Sequence, residues 1–244
     1  MTATVDEIAP DLFRVTCFNE AANFQFSSFL VRDDEPLLYH TNLRGYFNDI
    51  REGVDTVLDS SKIRWVGFSH FESDECGSLN EWLAIAPHAE PLCSFVGART
   101  SVGDFADRPP RVLEEGERIE TGSHRFRVIE TKHVPHGWDA SLLFEETAST
   151  LFCSDLLGQG GNVEALYEGD IAGRSEEYNT RQAEGPMSNS VPYTDETIPI
   201  LEGLADLNPE TLACMHGSSY IGDAGQALRD FGEILKKING KNGA

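Results

Sequence analysis

Four short apolar runs in this chain each end close to a histidine or a carboxylate. The runs cover 63–68, 125–132, 150–153 and 210–215, and the polar groups that follow are His70, His136, Asp155 and His216. Each run is short and rich in β-branched and aromatic residues, a composition that favours extended backbone. A fold that accepts this pattern must gather several strand ends at one sheet edge. Loops at such an edge can bring distant side chains to a single point.

The first of these junctions is the densest. His70-Phe71-Glu72-Ser73-Asp74-Glu75 sets four metal-competent side chains within six residues, just before Gly77-Ser78-Leu79. On extended backbone, residues 70, 72 and 74 project to one side. One imidazole and several carboxylates converging without a cation would repel one another, so the spacing points to a metal site. His136, Asp155 and His216 raise the candidate set to seven: His70, Glu72, Asp74, Glu75, His136, Asp155 and His216. For Glu75 two readings stand side by side, ligation or a turn outward to solvent.

The order of elements narrows the architecture. Strand signals over 11–17, 24–32 and 36–39 precede a helical pattern over 44–58, a strand at 63–69 and a helix from Gly77 to Ala84. A strand and helix over 91–94 and 96–105 lead to Pro109-Pro110, and three strand signals follow at 125–129, 141–144 and 150–153. The glycine-rich stretch 158–190 reads as a long loop or short helices over a site mouth. A helix at 194–207, a strand at 210–215 and a helix at 223–237 complete the pattern, and the tail after Gly240 is expected to fray. This order suits two sheets packed face to face with helices outside. At 244 residues such a chain can bury a substantial core without disulfides.

A formal net charge of −22 argues against nucleic acid and anionic membrane surfaces as partners. The five cysteines (Cys17, Cys76, Cys93, Cys153 and Cys214) have no short paired spacing, and residues 1–20 are polar and acidic rather than leader-like. No apolar run reaches membrane-spanning length. A cytoplasmic location and no membrane association are therefore expected.

With four separated motifs in place, the chain resembles the metallo-β-lactamase fold superfamily and, within it, the diiron domain of flavodiiron proteins. The hydrolases of that superfamily carry His-x-His-x-Asp-His, whereas the flavodiiron group carries His-x-Glu-x-Asp-His followed by a distant His, Asp and His. Here the pattern reads His70-x-Glu72-x-Asp74-Glu75, then His136, Asp155 and His216. The context of His136-Gly-Trp-Asp-Ala-Ser-Leu, Leu151-Phe-Cys-Ser-Asp155 and Met215-His216-Gly217 is similar as well. The resemblance implies an α/β fold, an αββα sandwich of two mixed β-sheets flanked by helices, with 1–244 forming one such diiron domain. It implies that His70, Glu72 and His136 bind a first iron, Asp74 and His216 a second, and that Asp155 bridges them. Glu75 stands where the family has histidine.

Replacing imidazole by carboxylate at position 72 hardens the site. Hard ligands favour iron or manganese over zinc, although zinc would still bind. The activity implied is reduction of O2 or NO by a non-haem diiron centre. In the family a flavodoxin domain follows the metal domain, and head-to-tail dimers bring its FMN to the irons. Nothing of that domain lies within these residues. The expectation is therefore no FMN on this chain alone, a separate flavoprotein or small redox protein as electron donor, and a homodimer. An O2-binding sensor module and a dinuclear zinc hydrolase are the alternatives. Other signals are read as structural: His40, His88 and His124 as surface or core residues, His133 as a loop residue, Cys76 and Cys153 as buried thiols. Trp138 and Tyr220 are candidates to line the metal pocket.

Overall fold

The computed structural model describes residues 2–240; the expectation for the tail after Gly240 lies outside them. One seven-stranded sheet runs in the order β1 (Thr4–Ala9), β2 (Leu12–Asn19), β3 (Phe24–Val31), β4 (Leu37–Tyr39), β5 (Trp65–Gly67), β6 (Glu90–Ser94) and β7 (Arg111–Leu113). Its first half is antiparallel and its second half, from β4 onward, is parallel. The second sheet is formed by β8 (Arg118–Glu120), β9 (Arg125–Glu130), β10 (Ser141–Glu145), β11 (Thr150–Ser154), β12 (Leu166–Tyr167), β13 (Thr211–Cys214) and β14 (Ser219–Ile221). Its spatial order is β12-β14-β13-β11-β10-β9-β8.

Parallel pairs need crossovers, and helices supply them. In the first half these are α1 (Phe47–Asp55), α2 (Ser73–Cys76) and α3 (Leu79–Ile85), followed by the short turns α4 (Phe95–Gly97) and α5 (Gly103–Phe105). In the second half they are α6 (Ile171–Ala183), α7 (Thr197–Ala205) and α8 (Ala224–Asn239).

Three apolar layers follow from strand alternation. Phe29, Val31, Leu37, Tyr39 and Trp65 meet Phe126, Val128, Leu143 and Phe152 between the sheets. Leu30, Leu38 and Val66 face outward instead and pack on Ile50, Val54, Leu79 and Trp82 of the helices. On the other side Leu142, Leu151 and Leu212 pack against Leu201, Leu228 and Phe231. Both faces of the central strands are buried, which is why they read as continuous apolar runs. The result is the αββα sandwich of two mixed sheets flanked by helices that the sequence implied.

Some boundaries differ from expectation. The stretch 158–190 contains a thirteen-residue helix, α6, capped by the Asp170 side chain on the Gly173 amide. Its hydrophobic pattern is weak because few of its residues are buried. The strands β1, β7, β8 and β14 carried no clear signal; three of them are only three residues long.

Candidate metal centre

The seven candidate side chains come from four strand ends. His70 lies in a bend after β5, where the Glu72 amide bonds back to its carbonyl at 3.2 Å, and Glu72 itself is extended at φ −138° and ψ 163°. The alternation expected over 70–74 stops there. From Ser73 the chain turns into α2, and the helical turn swings Asp74 and Glu75 to the side of His216. His136 lies between β9 and β10, Asp155 directly follows β11, and His216 lies just beyond β13.

Two groups form, and Asp155 faces both. In the first, His136 Nε2 is 2.7 Å and His70 Nε2 3.4 Å from Glu72 Oε2. Asp155 Oδ2 is 3.6 Å from His70 Nε2 and 3.7 Å from His136 Nε2. In the second, His216 Nε2 is 3.3 Å from Asp74 Oδ2 and 3.1 Å from the other oxygen of Asp155, Oδ1. Glu75 has turned inward. It is fully buried, with one oxygen 3.7 Å from His70 Nε2, and it shares one cluster with His70 and Asp155 and another with Asp74 and His216.

This donor set fits cations. Atoms bound to one metal at about 2.0–2.2 Å lie about 3–3.5 Å from each other, and the separations here bracket that range. Neither Glu75 oxygen has a hydrogen-bond partner among the described residues. A buried carboxylate left unpaired is costly unless a positive charge joins it.

Charge in the metal-free protein is balanced by protons. Hydrogen bonds from His136 and then His70 hold the Glu72 carboxyl down at about 2. Burial alone would raise Asp155, but the His216 hydrogen bond and the surrounding imidazoles take it well below the usual carboxylate range. Burial opposes a charge on His216, yet Asp155 and Asp74 raise it to about 10. Glu75 is pushed far upward, by burial first and then by the charges of Asp155 and Asp74.

The histidines are held from behind. His136 Nδ1 donates to the Ser190 carbonyl at 2.7 Å, and His216 Nδ1 to the Gln25 carbonyl at 2.9 Å. Buried Arg14 donates to the Gly217 carbonyl at 2.6 Å and to Gln25 Oε1 at 3.3 Å, so it ties the His216 loop to β2. Gly217 has φ +90°, and a Cβ there would lie 2.6 Å from Gln159. The Phe24 ring stacks on His216 at 4.4 Å.

A cavity of about 440 Å³ opens above the centre, lined by Phe24, Phe26, Tyr178, Met187 and Val191 together with the ligand candidates. Trp138 and Tyr220, candidates for either lining or packing, do not line it. Trp138 is 69% exposed because its loop points it outward, and Tyr220 packs in the core beneath the outer helices. His133 and His88 are exposed, whereas His124 is buried against Glu145 at 3.1 Å. His40 is buried, but it also reaches the back of His70 through Ser69, a link that strand periodicity gives no sign of. All five cysteines are free and buried, and burial raises Cys76 to about 12.

Residues 24–217 match the family model described as ODP family beta lactamase. Rubredoxin-oxygen oxidoreductase of Megalodesulfovibrio gigas is 24% identical over 201 residues, covering 81% of this chain and 49% of the relative. Anaerobic nitric oxide reductase flavorubredoxin of Salmonella arizonae is 21% identical over 162 residues, covering 65% of this chain and 34% of the relative. The chain thus spans half or less of the length of these curated relatives. The crystal structure of the flavodiiron protein from Giardia intestinalis superposes with a TM-score of 0.81 at 15% identity, covering 97% of this chain and 60% of that one. At that identity the likeness concerns the fold.

Proposed function

Because this chain belongs to the ODP beta-lactamase family, we propose that its centre holds two iron ions and serves the reduction of O2 or NO. The observation that carries this reading is Asp155, whose two oxygens face two different ligand groups. His70, Glu72 and His136 would hold one iron. Asp74, Glu75 and His216 would hold the other, and Asp155 faces both groups. Four carboxylates against three imidazoles form a hard donor set, which favours iron or manganese over zinc. The relatives named for oxygen and nitric oxide reduction support the choice of substrate class.

When bound, a diiron pair supplies two electrons at once to a small diatomic. The protein's own groups do the rest. The aromatic and aliphatic part of the cavity wall, Phe24, Phe26, Met187 and Val191, offers a small apolar gas a route to the centre. The carbonyls of Ser190 and Gln25 keep His136 and His216 aimed inward. Tyr178, raised by burial, keeps its proton and adds no charge to an already acidic pocket. An electron donor of the flavoprotein or small-redox-protein class supplies the electrons, a reading supported by the relative named for rubredoxin, and the described residues act as one domain in a homodimer.

The test is O2 uptake by iron-loaded protein prepared without oxygen. Repeated consumption with an added electron donor is the expected result. Uptake that stops at one equivalent would make the chain a sensor module. Stoichiometric zinc with ester hydrolysis and no O2 uptake would contradict the proposal.

A further inference from the structure

The three histidines of the centre are not oriented in the same way. His136 and His216 each face a main-chain carbonyl through Nδ1. A carbonyl only accepts, so Nδ1 keeps a proton and Nε2 is the nitrogen offered to the metal, any proton there being the one that the metal displaces. His70 instead faces the hydroxyl of Ser69, with 2.9 Å between Nδ1 and Oγ. A hydroxyl can donate or accept, so Ser69 by itself does not decide which nitrogen of His70 is bare. Another group has to set the direction of the Ser69 proton.

Ser69 Oγ has two further neighbours, His40 Nε2 at 3.2 Å and Ser154 Oγ at 2.7 Å. His40 is anomalous in two respects. It sits at φ 64°, in the left-handed region that residues other than glycine seldom adopt. It is also fully buried, and its Nδ1 has no partner among the described residues. Strain and an unpaired buried atom together mark a position retained for what it does. The orphan also reveals the tautomer. A buried N–H without an acceptor is rarer than an unused lone pair, so the ring proton belongs on Nε2. Burial takes His40 down to about 3 and keeps the ring neutral.

We propose that His40, acting through Ser69, is a positioning residue that fixes His70 as an Nε2 donor to the first metal position. His40 Nε2–H donates to Ser69 Oγ, and Ser69 gives its own proton to Ser154. The lone pair that remains on Ser69 accepts Nδ1–H of His70. Without His40, Ser69 is free to turn its proton onto His70 Nδ1, and the His70 proton then moves to the face meant for the metal. This inference rests on the reading of His70 as a metal ligand.

Two measurements test it. Nitrogen-resolved NMR of the metal-free protein should find His70 protonated on Nδ1 and His40 on Nε2. Anaerobic iron titration, followed by Mössbauer spectroscopy, should then compare Ser69→Ala, His40→Leu and His40→Asn with the parent chain. Loss of an outer hydrogen-bond partner costs about 10–100-fold in metal affinity. Ser69→Ala and His40→Leu should lose that much at the His70 position and leave the His216 position unchanged. His40→Asn should recover most of the affinity, because asparagine tolerates left-handed backbone and offers an amide N–H. A merely structural role would weaken both positions alike and leave the tautomers untouched. The proposal is overturned if His70 Nδ1 carries no proton in the metal-free parent, or if folded His40→Leu binds both irons as the parent does. A parent chain that binds fewer than two irons would sink the diiron reading instead, while the metal-free NMR would still decide the role of His40.

Discussion

The two halves of the centre share Asp155 but differ in nearly everything else. The Glu72 side chain is 47% exposed and that of His136 27%, whereas those of Glu75 and His216 are 1% and 8% exposed. The open half is balanced by hydrogen bonds between an acid and two imidazoles, a short one from His136 at 2.7 Å and a long one from His70 at 3.4 Å. The closed half encloses three carboxylates around a single imidazole and relies on protons on Glu75 and His216 when no metal is bound. Exposure therefore sets the free energy at stake. Solvent can screen the open half, while the closed half gains most from a cation and loses most without one.

Substitutions should separate the halves in a definite order. The largest effect belongs to Asp155→Asn, which removes the group common to both. Both irons should be lost, by more than the about 100-fold that an outer partner is worth, as read by metal analysis after gel filtration. Retention of either iron at parent affinity would mean that Asp155 does not link the groups.

Glu75→Gln should come next. It keeps the volume and removes the charge, so the His216 position should lose iron while the His70 position keeps it. The same variant should raise the melting temperature of the metal-free protein at pH 8, because the fold no longer has to hold a proton on a buried carboxyl that ionises freely when unfolded, a gain of about 1–3 kcal/mol. Unchanged iron content and unchanged melting would show that Glu75 is no ligand.

The pH dependence is the third effect, and its sign is fixed by His216. With its pKa raised from the ordinary 6.5 to about 10, His216 stabilises the metal-free fold fully below pH 6.5, and that contribution fades as pH rises to about 10. Metal has to displace the same proton. Affinity at the closed half should therefore climb about tenfold per pH unit across that window, and the gap in melting temperature between loaded and metal-free protein should widen with it. Calorimetry at several pH values reads both, and a flat profile would contradict the assignment. The smallest effect is expected from Glu72→Gln, which should weaken only the open half and leave the metal-free stability within about 1 kcal/mol of the parent, as read by thermal melting.

The ligand candidates were legible in the sequence because a strand end followed by a polar loop is a local pattern. His70, Glu72, His136, Asp155 and His216 each announce themselves within a few residues of an apolar run. The two-sheet sandwich was legible for the same reason. What holds the ligands was not. Arg14 meets Gly217 across 203 positions, and His216 meets Gln25 across 191. His40, just past the end of β4, lies 29 residues from Ser69, just past the end of β5, and the parallel pairing of these strands brings the two together. Contacts of that kind depend on register, which one sequence does not reveal. The inward turn of Glu75 was equally hidden, since it follows the change from extended backbone at Glu72 to the helical turn α2 at Ser73.

The central claim is that two irons occupy these unequal halves of one centre, joined by Asp155. The most direct measurement is iron content with Mössbauer spectroscopy on the anaerobically loaded chain. Two irons per chain in two distinct environments, exchange-coupled through the shared carboxylate, is the result expected here. A single uncoupled iron, or a site that takes zinc and leaves iron in solution, would contradict it.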